Sequence, residues 1–255
     1  MLYQLSYLGA PVGHAIVGSP SVNDQPLLTE RRDRVLLITL NRPDARNAVN
    51  LAMAESMAAA LDELDSTDEL SLGVIAGEGK GFSSGMDLKA FASGERPWAG
   101  EAAVAGGLEI ALACDLIVAA KGAKLGVPEV KRGLVAAAGA LRQLPRLLPG
   151  TIAMELVLTG ETITAERAAE LGLLNRLADP GKALEVALEL AGELASNAPL
   201  ALRASKAVLR QQTSWDDETF WREQGAITGP VFASEDAIEG ATAFSEKRAP
   251  NWRGR

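Results

Sequence analysis

The chain reads as an α/β protein, and three observations lead there. Two short apolar runs rich in β-branched residues, 34–40 (RVLLITL) and 72–76 (LGVIA), have the composition of buried strands. Each leads through a turn into a segment of helical period. From Gly181 onward the pattern changes to amphipathic helices alone. At 255 residues and 47% hydrophobic, the chain has enough apolar surface to bury one sizeable core beside a smaller helical part. The organisation expected is an irregular N-terminal extension over 1–25, a core over 26–180 and a helical region over 181–255.

In order, 27–32 runs from apolar to charged, and the strand over 34–40 stops at the turn Asn41-Arg-Pro-Asp44. Asn47 or Asn50 can cap the helix over 51–64, because a short polar side chain there accepts from an unpaired backbone N–H. Residues 66–69 turn into the strand over 72–76. The segment 91–100, FASGERPWAG, is loop-like. Residues 108–118 read as helix and then strand, 153–158 as helix, and the threonine that closes TGETIT at Thr164 can cap the next helix, AERAAELGLL. Amphipathic helices are expected over 184–196, 200–211, 217–225 and 234–244.

Composition removes several kinds of chemistry. One cysteine, Cys114, rules out an internal disulfide framework, and its apolar neighbours predict a small buried thiol, in keeping with a reducing cytoplasm. One histidine, His14, leaves schemes built on a histidine base or on paired imidazoles little to work with. Acid and base work then falls to carboxylates, and no metal is expected. A formal charge of −8 argues against nucleic acid as a partner. No apolar run reaches the roughly 18 residues of a membrane span, and the first twenty residues lack the basic start of a secretory signal.

Two glycine-bearing turns carry the chemistry. Residues 81–88, GFSSGMDL, come after the second strand, and residues 105–109, AGGLE, open a helix. Backbone N–H groups at such turns have no intrahelical partner and point outward, so two turns can hold one oxygen between them. Glu109 sits in the first turn of its helix, where the dipole favours negative charge. Glu129 comes later, in GVPE. Ser83 and Ser84 do not fit a nucleophilic-serine pattern, and Asp87 is placed to cap.

The order FSSGMDL, AGGLE, GVPE resembles the paired signature of the crotonase (enoyl-CoA hydratase/isomerase) superfamily. The likeness extends over most of residues 26–250, through TAERAAELG to the closing FSEKRAP. It implies a spiral of repeated ββα units with a C-terminal helical region that joins subunits into a homotrimer or a dimer of trimers. It maps the two oxyanion donors onto Met86 and Gly106 and the two hydratase carboxylates onto Glu109 and Glu129. It also puts Arg46, Ser84, Asp87, Leu88, Lys89, Phe244 and Lys247 beside coenzyme A, which enters as part of an acyl-CoA thioester substrate, with no separate cofactor. The reaction implied is addition of water to a 2-enoyl-CoA, with Glu109 activating water and Glu129, its pKa raised by apolar surroundings, supplying the proton. Double-bond isomerisation, or acyl-CoA binding without turnover, are the rival readings.

The chain departs from the pattern twice. Between Lys89 and the AGGLE turn it is roughly twenty residues shorter than the family, lacking a helix and an apolar strand, more than the dozen or so residues a parallel crossover needs. A deletion of that size puts the second donor at risk, since about 1 Å of misplacement costs about a hundredfold in rate. Over 133–141, Ala136, Ala137 and Ala140 replace a proline and two glycines, and the added methyls narrow the space near Glu129.

Overall fold

The computed structural model describes residues 2–3, 25–95, 98–99, 102–103 and 106–255. The expected N-terminal extension, with His14 and the Gly18-Ser-Pro20 stretch, lies almost wholly outside the described residues, as does most of the approach to the AGGLE turn. The chain divides into two compact units, 1–191 and 192–255.

The first unit is built on a four-stranded sheet in the order β1-β4-β3-β2. Here β1 is Leu2–Tyr3, β2 Leu27–Arg32, β3 Val35–Leu40 and β4 Leu72–Gly77. The apolar-to-charged stretch over 27–32 is therefore a strand, hairpinned antiparallel to β3. Its burial falls off after Leu27, as an edge strand with charged residues toward solvent should. Strands β3 and β4 are parallel, Ile38 opposite Ile75, and the crossover between them is α1, Leu51–Ser66. Asn50 is the cap, its side chain accepting from Met53 N–H. Met53, Ala54, Met57, Ala60 and Leu64 form the buried stripe of α1, at the spacing of one helix face. With Leu36, Ile38, Leu40 and Ile75 they make the first core.

Beyond β4 come α2, Leu88–Ala92, and two short strands paired antiparallel, β5, Trp98–Ala99, and β6, Ala102–Ala103. Then α3, Gly107–Ala113, carries the second glycine turn. Ile110 and Cys114 join the first core while Ala111 and Leu112 join a second one. The helix thus stands between two apolar masses. The second core is closed by α4, Ala140–Leu147, α5, Gly150–Thr159, and α6, Ala165–Glu170. Thr164 caps α6 by accepting from Arg167 N–H. Short strands complete the unit: β7, Val118–Ala120, runs parallel to β10, Arg176–Ala178, and β8, Lys124–Gly126, antiparallel to β9, Thr162–Thr164. Helix α7 spans Ala183–Ala195.

The second unit holds α8, Pro199–Gln211, α9, Asp217–Phe232, and α10, Glu235–Glu246. Helix α9 runs seven residues past the expected stop at Gly225, carrying Gly229 and Pro230 within it. A proline removes one donor and strains the turn before it, which is why the sequence reads as ending earlier. The C-terminal tail is tied back: the Asp236 carboxylate accepts from Arg253 and Gly254 N–H, and Trp252 Nε1 donates to the Ser196 carbonyl at 2.7 Å. Among the described residues no helix is long and apolar enough to cross a membrane.

Candidate active site

The first glycine turn is anchored by a residue that the sequence offered only as a cap. Asn47 is fully buried, accepts from Arg42 N–H and donates to the carbonyls of Glu78 and Gly81, each at 2.9 Å. It ties the loop after β3 to the loop after β4. Ser83 Oγ donates to the Asn47 carbonyl at 2.7 Å and accepts from Gly85 N–H, so this serine holds the turn rather than serving as a nucleophile. Ser84 is exposed, and its N–H donates to the Arg46 carbonyl.

Val49 then bridges to Met86 in parallel fashion. Val49 N–H donates to the Gly85 carbonyl at 2.8 Å and the Val49 carbonyl accepts from Asp87 N–H at 2.9 Å. The flanks of Met86 are thus hydrogen-bonded, while among the described residues the Met86 N–H itself donates to nothing. The same holds for the Gly106 N–H.

The second turn lies against the first. A Cβ added to Gly107 would come within 2.3 Å of the Ser83 carbonyl oxygen, so only a glycine allows the two turns to approach this closely. The short connection after Lys89 has not separated them. A Cβ added to Gly106 would meet Glu109 Oε2 at 2.9 Å and Glu129 Oε1 at 3.3 Å. Both carboxylates therefore converge on one spot beside Gly106, although they come from different elements, Glu109 from α3 and Glu129 from the short helical turn Pro128–Arg132.

Glu109 is 3% exposed. Its Oε1 accepts from the Ala140 N–H at 3.1 Å. Its Oε2 and the Oε2 of Glu129 are both buried without a hydrogen-bond partner among the described residues. Buried carboxylate oxygens left unpaired are costly in a purely structural role, and two carboxylates that each carry one and converge beside Gly106 call for a proton or a polar reactant there. Burial pushes the Glu109 carboxyl above its ordinary value; the Ala140 N–H opposes this, the Glu129 charge adds to it, and the Ala138 N–H opposes it again. The upward shift falls on Glu109, a residue that the sequence reading did not single out for one.

The other expected contacts fall in three places. Asp87, Leu88 and Lys89 line a surface cavity of about 460 Å³ with Arg42, Asp44, Ala45, Ala48 and Ala90. Asp87 caps α2, accepting from Lys89 and Ala90 N–H, and an ion pair with Arg42 at 3.0 Å helps hold its carboxyl below the usual range against the opposing effect of burial. Arg46 is exposed in the left-handed region and, like Ser84, does not line that cavity. Phe244, on α10, and Lys247, just after it, belong to the second unit; both are exposed. Two contributors escaped the sequence reading, Arg42 and the Ala140 N–H. Arg42 has no motif of its own beyond its place before Pro43, and a backbone donor leaves no mark on composition.

Among the described residues no group of three or more His, Cys, Asp or Glu side chains is placed to hold a metal ion.

Comparison with known proteins places this geometry. Residues 35–104 and 99–255 each match a family described as enoyl-CoA hydratase/isomerase. The two matches meet where the chain is short. The crystal structure of an enoyl-CoA hydratase from Mycobacterium tuberculosis H37Rv superposes with a TM-score of 0.89 at 47% identity, covering 91% of this chain and all of that one. The enoyl-CoA hydratase EchA19 of Mycobacterium tuberculosis is 36% identical, over 89% of this chain and 96% of its own length. The carnitinyl-CoA dehydratase of Salmonella typhi is 39% identical, over 88% and 97%. The EchA19 alignment runs over 261 positions while using 89% of 255 residues, so roughly thirty of its positions have no counterpart here.

Proposed function

Because the chain belongs to the enoyl-CoA hydratase/isomerase family and has its crotonase fold, we propose that it adds water across the C2–C3 double bond of a 2-enoyl-CoA thioester, using both glutamates. The observation that carries this reading is the meeting of two carboxylates beside Gly106, each with one buried oxygen left without a hydrogen-bond partner among the described residues. An isomerase needs one working carboxylate and a dry site; a hydratase needs two acids and room for water between them.

In this reading the thioester oxygen lies between the Met86 and Gly106 N–H groups. Charge grows on that oxygen as water attacks C3, and a preorganised donor of this kind is worth about 3 kcal/mol. Glu109 orients the water through its free oxygen and takes its proton, while Glu129 gives a proton to C2 on the same face. The two carboxyls together hold one proton before and after the addition, so the step balances. A base whose carboxyl is raised by burial holds a proton more firmly, which favours removing one from water. The acyl-CoA lies along the cavity edged by Asp87, Leu88 and Lys89 and extends past it to Arg46 and Ser84. No separate cofactor takes part. The second unit assembles trimers, singly or in pairs. Its exposed Trp221, Phe232, Ile238 and Phe244 support that reading, since large apolar side chains in such number are usually covered by a partner.

Assaying crotonyl-CoA hydration beside isomerisation of a 3-enoyl-CoA tests the assignment. Hydration is expected to dominate and to fall at least a thousandfold in Glu109→Gln. Efficient isomerisation with no hydration would overturn it.

A further inference from the structure

We infer that Arg42 is a positioning residue for the oxyanion site, its guanidinium fixing the Met86 N–H in the direction the thioester oxygen requires. The inference rests on the hydratase reading above and deepens it. Met86 sits in a two-segment bridge framed by two hydrogen bonds, from Val49 N–H to the Gly85 carbonyl and from Asp87 N–H to the Val49 carbonyl, while the further bonds between the segments, from Ser84 N–H to the Arg46 carbonyl and from Ser83 Oγ to the Asn47 carbonyl, all lie on its N-terminal side. An isolated bridge has no neighbouring ladder to hold its register, and residues 84–87 belong to no strand or helix.

Arg42 supplies what the ladder lacks. Its Nη1 donates to the Ala48 carbonyl at 2.5 Å, one residue before Val49, and its Nη2 donates to Asp87 Oδ2 at 3.0 Å, one residue after Met86. One planar group thereby grips both segments beside the bridge. Asp87 passes the constraint on, because its other oxygen accepts from Lys89 and Ala90 N–H and so fixes the start of α2. The arginine is itself held, its backbone N–H donating to the buried Asn47 side chain. Arg42 and Asp87 are 25% and 15% exposed, shielded enough for a charge-assisted bond to be firm. The bridge leaves the Met86 N–H pointing away from all these bonds, so whatever fixes the bridge fixes that donor.

A lysine cannot copy the arrangement. Its ammonium is a single point on a flexible stem, whereas the guanidinium fork meets two acceptors in fixed directions. If the fork is lost, Met86 is free to shift by the ångström or so that costs about a hundredfold in rate.

The test uses the full-length chain and a conjugated aryl-enoyl-CoA whose ultraviolet band moves to longer wavelength when its thioester carbonyl is polarised. The unsubstituted protein is expected to shift the band. Arg42→Ala, measured at saturating probe and substrate because Arg42 also lines the cavity assigned to the acyl-CoA, is expected to lose most of the band shift and to lower kcat for crotonyl-CoA about a hundredfold. Arg42→Lys is expected to fall between the two, and Glu109→Gln to keep the full band shift while losing hydration. Should Arg42→Ala fail to fold, Arg42→Lys and Asp87→Asn, with melting temperatures alongside, carry the comparison. A full band shift and unchanged kcat in the folded Arg42 variants would overturn the positioning role while leaving the hydratase reading intact. An unsubstituted protein that neither shifts the band nor hydrates crotonyl-CoA would overturn the hydratase reading, and this inference with it.

Discussion

Glu109 is buried to 3% exposure with one oxygen bonded to the Ala140 N–H and the other bonded to nothing described, a poor arrangement for a residue whose only task is to hold the fold. Its raised carboxyl makes a statement about stability. Above the ordinary value of 4.5 the unfolded chain releases this proton while the folded chain keeps it, so the contribution of Glu109 declines as pH rises from about 4.5 through the raised value. Glu109→Gln, which carries no ionisable group, should therefore melt progressively higher than the unsubstituted protein as pH climbs through that window. A melting-temperature difference independent of pH would contradict the burial argument. The resemblance to the family signature singled out Glu109, Glu129 and the Met86 and Gly106 N–H groups, and the structure brings the two carboxylates together beside Gly106. Asn47 was legible only as a cap, since nothing in a one-residue pattern distinguishes an asparagine at a helix start from one that ties two loops together.

Helix α3 shows how an element converts sequence into a site. Its glycine start allows the close approach to Ser83, and its two apolar sides lock into separate cores, which fixes the direction of Glu109. Gly107→Ala tests this. The new methyl would lie 2.3 Å from the Ser83 carbonyl oxygen, so the turns must part. Hydration is expected to drop about a hundredfold or more, with a loss of about 1–3 kcal/mol in stability measured by denaturant unfolding. Wild-type turnover in that variant would show that the two turns need not touch. Strands β3 and β4 and helix α1 were readable from period and composition. The strand β2 was less so, because it is an edge strand whose charged half reads like a loop, and the extent of α9 was hidden by Pro230.

For the whole molecule, the question raised by the short connection before α3 is whether the missing stretch removes the site or only a decoration of it. The two family matches join at residues 99–104, and a TM-score of 0.89 to a complete enoyl-CoA hydratase shows that the fold survives the shortening. The contact between Gly107 and Ser83 shows the second turn still seated on the first. Sequence length alone pointed the other way, because a deletion in a crossover ordinarily displaces the element C-terminal to it. Helix α3 is packed on both sides by residues from distant parts of the chain, Ile110 in the first core and Ala111 and Leu112 in the second.

Hydration of crotonyl-CoA in deuterium oxide, followed by proton NMR, tests the pairing of the two carboxylates most directly. The account predicts a single 3-hydroxyacyl-CoA product carrying one deuteron at C2 on the same face as the new hydroxyl, and no product from Glu109→Gln or Glu129→Gln. Product formed with deuterium on both faces, or formed undiminished without either glutamate, would contradict it.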